Sequence, residues 1–87
     1  MRKQKVIVRN QNGLHLRVAG QVVEAAKRFG VDVTICKGCD KADGCSILQL
    51  LMLGATEGSE IEVMVEGDDS CEALSSLMGI FNDGGGI

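Results

Sequence analysis

Ala19-Gly20-Gln21-Val22-Val23-Glu24-Ala25-Ala26-Lys27-Arg28-Phe29-Gly30-Val31-Asp32-Val33-Thr34-Ile35-Cys36 changes its hydrophobic period partway along. Ala19, Val22, Val23, Ala26 and Phe29 recur at helical spacing, the single apolar stripe of an amphipathic helix. Lys27 and Arg28 fall in its last turn, where cations complement the helix dipole, and Gly30 stops it. Directly afterwards Val31, Val33 and Ile35 alternate with Asp32, Thr34 and Cys36, the period of a half-buried strand. A helix and a one-sided strand in succession must bury their apolar surfaces in the same core. That requirement points to a sheet covered by helices on one face.

The flanking segments extend the pattern in both directions. Upstream, Lys5-Val6-Ile7-Val8-Arg9 is a short β-rich run, and Asn10-Gln11-Asn12-Gly13 is a turn cluster. Downstream, Lys37-Gly38-Cys39-Asp40 predicts a hairpin turn into a weak strand around Lys41-Ala42, broken at Gly44. Ile47, Leu50, Leu51 and Gly54 return to helical spacing, and Ser46-Ile47-Leu48-Gln49 fits a capping box, in which Ser46 and Gln49 satisfy amides at a helix start. Glu57-Gly58-Ser59 is a turn. Ile61, Val63 and Val65 then alternate with polar positions, and Gly67-Asp68-Asp69-Ser70 supplies a turn and an N-cap for a helix lined by Leu74, Leu77, Met78 and Phe81. Asn82 to Gly86 reads as a frayed tail. The order is β-α-β-β-α-β-α without repeat or linker. It predicts one α+β domain over residues 1–87, an open-faced sandwich with a four-stranded antiparallel sheet and three helices on one face.

Composition narrows the function. At 87 residues, with 45% hydrophobic and 24% charged side chains, the chain has the makeup of a folded globular domain with a thin core. No apolar run approaches the ~20 residues of a membrane span, and no apolar stretch with a cleavage site follows the basic N-terminus, so membrane insertion is not expected and a cytoplasmic location is. With no Trp or Tyr and only Phe29 and Phe81, base stacking is not available as a main activity, so no nucleic-acid partner is expected. The net charge of −3 divides into +6 over residues 1–28 and −9 over the rest. A basic first third suits an anionic ligand or an acidic partner surface. Cys36, Cys39, Cys45 and Cys71 are expected as free thiols. Cys36 and Cys39 form a CxxC, but no second CxxC or nearby His accompanies it, so neither a metal site nor a cofactor is expected.

His15, the sole histidine, follows the Asn12-Gly13 turn and opens the first helix, with Arg17 two positions on. That setting suits phosphate chemistry. Unpaired amides at a helix start point at an anion, and the dipole adds about 0.3–1 kcal/mol near the surface. Arg17 supplies a bidentate phosphate donor, and an imidazole ring nitrogen can attack phosphorus. On spacing alone an ordinary surface histidine beside a turn is the commoner case.

Gly13-Leu14-His15-Leu16-Arg17 resembles the active-site signature of the HPr family, the histidine-containing phosphocarrier proteins of the phosphoenolpyruvate–sugar phosphotransferase system. Ala25-Ala26-Lys27-Arg28-Phe29 resembles the end of that family's first helix. The run Cys45-Ser46-Ile47-Leu48-Gln49-Leu50-Leu51-Met52-Leu53-Gly54-Ala55 resembles its regulatory-serine helix. Glu57-Gly58-Ser59-Glu60-Ile61, Glu66-Gly67-Asp68-Asp69 and Glu72-Ala73-Leu74 resemble its last strand and helix. The resemblance implies that His15 accepts a phosphoryl group from phosphorylated enzyme I and passes it to the IIA unit of a sugar permease. It implies that Arg17 and the amides of Leu16 and Arg17 hold the phosphate, and that Leu16, Gly20, Ile47, Leu48 and Leu51 dock partners. It also implies that Ser46 is phosphorylated by an HPr kinase/phosphorylase. The protein would then be a monomeric substrate of enzymes more than an enzyme itself. Ile47, Leu50 and Leu51 form the stripe expected to be buried, which leaves Leu48 and Leu16 as the exposed docking candidates.

The chain departs from the family pattern at three places. Val18 stands where proline is usual, which restores an amide and loosens the helix start. Leu16 replaces a small residue, and Cys45 stands where a lysine commonly precedes the serine. Val18 and Cys45 favour a second reading, a regulatory HPr-like module bound by other proteins according to the state of His15 or Ser46. A third, a small thiol or metal protein, rests on the CxxC alone.

Overall fold

Ile61, Val63 and Val65 alternate with Glu60, Glu62, Met64 and Glu66, so one face of their strand can be buried while the other meets water. In the computed structural model, which describes residues 2–82, this segment is β4 (Glu60–Glu66), and its three branched side chains are buried. The order is β1 (Arg2–Ile7), α1 (Leu16–Phe29), β2 (Asp32–Lys37), β3 (Asp40–Asp43), α2 (Ile47–Met52), β4 and α3 (Ser70–Asn82). The four strands form one antiparallel sheet in the order β1-β4-β2-β3. β4 therefore sits between β1 and β2, pairing Val6 with Ile61 and Val33 with Val65. The helices supply the other half of the core. Val18, Val22 and Ala26 of α1, Leu50 of α2, and Leu77 and Phe81 of α3 are buried with Val33, Ile35 and Val63 of the sheet.

β1 begins earlier than the alternation at Lys5–Arg9 predicts. Arg2, Lys3 and Gln4 have little β propensity, yet they pair with Val65, Met64 and Val63. Backbone pairing with a central strand outweighs propensity here, and the basic side chains leave the sheet with a charged edge. The strand ends at Ile7; Val8 still exchanges backbone bonds with Gly58 and Ser59 just before β4, and the Arg9 amide turns to the Phe81 carbonyl of α3.

α1 ends as its sequence predicts. Gly30 adopts φ 64° and its amide closes onto Ala26 and Lys27 carbonyls. Val18 is fully buried, so the side chain in the place of the family's proline packs the first turn of α1 into the core. The start of α2 departs from a capping box. Ser46 Oγ accepts from the Gln49 amide at 3.3 Å, but Gln49 Oε1 accepts from the Asp43 amide at 2.9 Å, not from Ser46. The chain reverses at Gly44, which puts the Asp43 backbone in front of the helix and leaves the Ser46 amide to the Asp43 carbonyl. At α3 the first helical bond runs from the Ala73 amide to the Asp69 carbonyl, so the helix starts from Asp69 and Ser70 lies inside it. Of the glycine-rich tail, Asn82 is the last residue of α3, and the remainder lies outside the described residues. Among the described residues no helix is long and apolar enough to cross a membrane.

Candidate functional site

The turn cluster at Asn10–Gly13 folds into a short, tightly bonded loop between β1 and α1. The Gly13 amide donates to the Asn10 carbonyl at 2.9 Å, and the His15 amide to the Gly13 carbonyl at 3.0 Å. Asn12 has φ 70°, a left-handed conformation that asparagine tolerates better than most side chains, and Gly13 follows at φ 70°. The loop is held from outside as well. Leu14 is buried and donates its amide to the Ala55 carbonyl at 3.0 Å, joining the loop to the segment after α2.

His15 is the N-cap of α1, with extended backbone (φ −94°) and no bond from its side chain to the helix amides. A serine or aspartate in this position would spend its side chain on those amides. The imidazole does not, so both it and the amides remain available. The His15 carbonyl accepts the first helical bond, from Ala19. The amides of Leu16, Arg17 and Val18 have no carbonyl a turn earlier within the helix and face outward at its positive end. His15 is half-buried, while Leu16 and Arg17 are exposed. A half-exposed imidazole, unpaired amides and an exposed guanidinium thus share one helix end, an arrangement able to hold a phosphoryl group on a ring nitrogen.

The docking residues read from the sequence fall on the surface in a different combination. Ile47 and Leu51 belong to the stripe expected to be buried, but they are exposed, and Leu50 is the one residue of α2 in the core. The reason is the brevity of α2. Its six residues touch the core along one line only, through Leu50, with Leu53 following beyond its end. Leu16, Ile47, Leu48 and Leu51 therefore present apolar surface together with Met52, which sequence reasoning missed. Met52 is 76% exposed and Leu48 67%. Their i, i+4 spacing puts them on one side of α2, and this was the available signal. Gly20 is half-buried on α1.

Ser46 lies away from His15. The loop of His15 meets the segment just after α2, at Ala55, whereas Ser46 caps the opposite end of that helix. Six helical residues span about 9 Å. The structure therefore brings His15 together with Leu16 and Arg17, and puts Ser46 beyond the apolar residues of α2.

Cys36 is half-buried and Cys39, Cys45 and Cys71 are exposed, all of them unpaired. Among the described residues no three His, Cys, Asp or Glu side chains gather as a metal site. A groove of about 460 Å³ between α1 and α3 is lined by Glu24, Arg28, Ser76 and Ile80 among others, and none of His15, Arg17 or Ser46 lines it.

Comparison with known proteins places the chain in a family and matches its fold. The family model PTS-HPr, described as the PTS HPr component phosphorylation site, matches residues 2–83. The phosphocarrier protein HPr of Neisseria meningitidis serogroup A is 34% identical over 82 residues, covering 94% of this chain and 92% of its own. The HPr-like protein Crh of Bacillus subtilis is 39% identical over 77 residues, covering 88% of this chain and 91% of its own. A crystal structure of Crh, described as a dimer with a swapping domain, matches with a TM-score of 0.76 at 36% identity over 97% of both chains. The crystal structure of an HPr from Thermoanaerobacter tengcongensis matches with a TM-score of 0.92 at 29% identity, covering 100% of this chain and 98% of that one.

Proposed function

The chain belongs to the HPr family of the phosphotransferase system, and we propose that it is a phosphocarrier whose His15 takes a phosphoryl group from phosphorylated enzyme I and delivers it to the IIA unit of a sugar permease. The observation that carries this reading is the uncommitted imidazole of His15 at the start of α1. A lone pair on a ring nitrogen attacks phosphorus while the bond from phosphorus to the donor histidine breaks, and the phosphoryl charge passes to this chain. The amides of Leu16 and Arg17 and the Arg17 guanidinium meet that charge where it develops. The new phosphorus–nitrogen bond is labile, so a second attack by a nucleophile of the acceptor completes the transfer and restores His15. Leu16, Gly20, Ile47, Leu48, Leu51 and Met52 form the surface on which both partners dock. The protein acts in the cytoplasm as a monomer and is a substrate of its partners more than a catalyst.

Incubation with phosphoenolpyruvate and enzyme I, followed by mass measurement, tests this directly. One acid-labile, base-stable phosphoryl group is expected, and it should be absent from His15→Ala with the fold intact. Phosphate persisting on another residue of that variant would overturn the assignment.

A second reading keeps the fold and changes the use. The 39% identity to Crh favours an HPr-like module that binds regulatory partners according to phosphorylation, with Ser46 as the site of an HPr kinase/phosphorylase. Phosphorylation at Ser46 by such a kinase, without transfer from enzyme I to His15, would select this reading. A dimer at micromolar concentration in gel filtration would replace the monomer with an assembly such as that described for Crh.

A further inference from the structure

We infer that Asn10 is a positioning residue for His15, acting by tying the phosphate loop to the end of α3; this rests on the phosphocarrier reading for its kinetic consequence but not for its structural one. Asn10 has no exposed surface, an unusual place for an asparagine. Its Nδ2 donates to the Ile80 carbonyl at 2.9 Å, and the neighbouring Arg9 amide donates to the Phe81 carbonyl at 3.1 Å. Both are carbonyls of the last turn of α3, which have no partner within the helix. Asn10 Oδ1 is buried with no hydrogen-bond partner among the described residues. What the structure shows this side chain to make is the Nδ2 bond, which fixes Asn10 against the end of α3.

That geometry continues to the site. The same residue's carbonyl accepts the Gly13 amide, and the Gly13 carbonyl accepts the His15 amide. Side chain and carbonyl of Asn10 thus connect α3 to the backbone that sets the direction of the imidazole. Leu14, bonded to Ala55, holds the loop from the other side. Without the Nδ2 bond the chain stays tied by the backbone at Arg9 and at Leu14, and the stretch between them, Asn10 to Gly13, gains freedom to shift. In-line attack on phosphorus tolerates little displacement, and a shift of about 1 Å can cost on the order of 100-fold in rate. The docking surface on α2 does not depend on this connection.

The test uses Asn10→Ala and Asn10→Ser, the latter keeping a short donor in the buried site, with Val63→Ala in the middle of the sheet as a control for general destabilisation. Phosphoryl acceptance from enzyme I should lose about tenfold or more in kcat for Asn10→Ala with KM for enzyme I unchanged, and Asn10→Ser should recover part of it. Amide hydrogen exchange at Gly13, Leu14 and His15 should quicken in Asn10→Ala and not in Val63→Ala. If Asn10→Ala does not fold, the exchange and kinetic readings on Asn10→Ser decide, with intermediate losses expected. Wild-type kcat with unchanged exchange in the loop would overturn the inference and make Asn10 a helix-end cap only. A wild-type chain that accepts no phosphate would defeat the phosphocarrier reading, while the exchange pattern would still decide the role of Asn10.

Discussion

Gly13 lies against Ala55 so closely that a Cβ on Gly13 would stand 2.3 Å from the Ala55 carbonyl oxygen and 2.6 Å from Thr56 Cα. That contact presses the loop before His15 onto the segment after α2. Both atoms are backbone, so no rotamer change relieves the clash. Gly54 shares the left-handed φ of 70° but has open space where its Cβ would be. Gly13→Ala should therefore destabilise by about 2–4 kcal/mol, strain and overpacking together, against about 1 kcal/mol for Gly54→Ala. In a domain of this size each 1 kcal/mol lowers Tm by about 4–8 °C. Equal melting temperatures for the two variants would show that the close approach carries no energy.

Arg17→Ala should slow phosphoryl acceptance about 100-fold with Tm within ~2 °C of wild type, because Arg17 is exposed at the surface. Steady-state transfer from enzyme I measures it. A rate equal to wild type would assign the whole phosphate site to the helix amides.

Leu48→Asp and Met52→Asp test the apolar surface of α2. Both side chains are more than half exposed, so the fold should be indifferent to them. Burying a carboxylate against a partner without a matching charge costs on the order of 1–2 kcal/mol or more, which corresponds to a rise in KM for enzyme I of about tenfold. Leu50→Asp, in the core, should instead fail to fold. An unchanged KM in both surface variants would move the docking site elsewhere.

Ser46 has two separable roles. Ser46→Ala removes the 3.3 Å bond to the Gln49 amide and should cost about 1 kcal/mol with transfer unaffected. Ser46→Asp keeps an N-cap acceptor, so Tm should stay within a few degrees. Its charge sits at the end of α2 away from His15, so under the proposed docking on α2 it should act through partner binding and slow transfer from enzyme I. Salt should relieve the effect, since charge repulsion is strongest at low ionic strength. Transfer at the wild-type rate in low salt would exclude this mechanism.

Thiol titration with a disulfide reagent should show fast reaction at Cys39, Cys45 and Cys71 and a slower one at Cys36, following their exposure. All four should react without denaturant and without a chelator. Stoichiometric zinc carried through chelation and gel filtration, or fewer than four reactive thiols, would reopen a metal or disulfide role for the CxxC.

Much of this protein was legible in the amino-acid order. The change of period at Gly30 marked a helix and a strand because side-chain direction repeats at 3.6 residues in one and at 2 in the other. The turn at Asn12-Gly13, the cap at Ser46 and the place of His15 at the start of α1 are likewise local, set by residues within a turn of one another. His15 and Arg17 could be paired from sequence for the same reason.

What the tertiary structure decided is what depends on distant segments. Arg2 to Gln4 form strand because β4, some sixty positions later, supplies the partner backbone. Of the apolar residues of α2, Leu50 is buried and Ile47 and Leu51 are not, because the rotation of a two-turn helix is fixed by the core it touches and not by its own stripe. Asn10 reads as one polar turn residue among several, and only the arrival of α3 at Ile80 and Phe81 makes it a buried link to the His15 loop. Periodicity reports which way a side chain points within its own element. Burial and bonding partners depend on which elements the chain brings together, and the free energy that chooses among those arrangements belongs to the whole core.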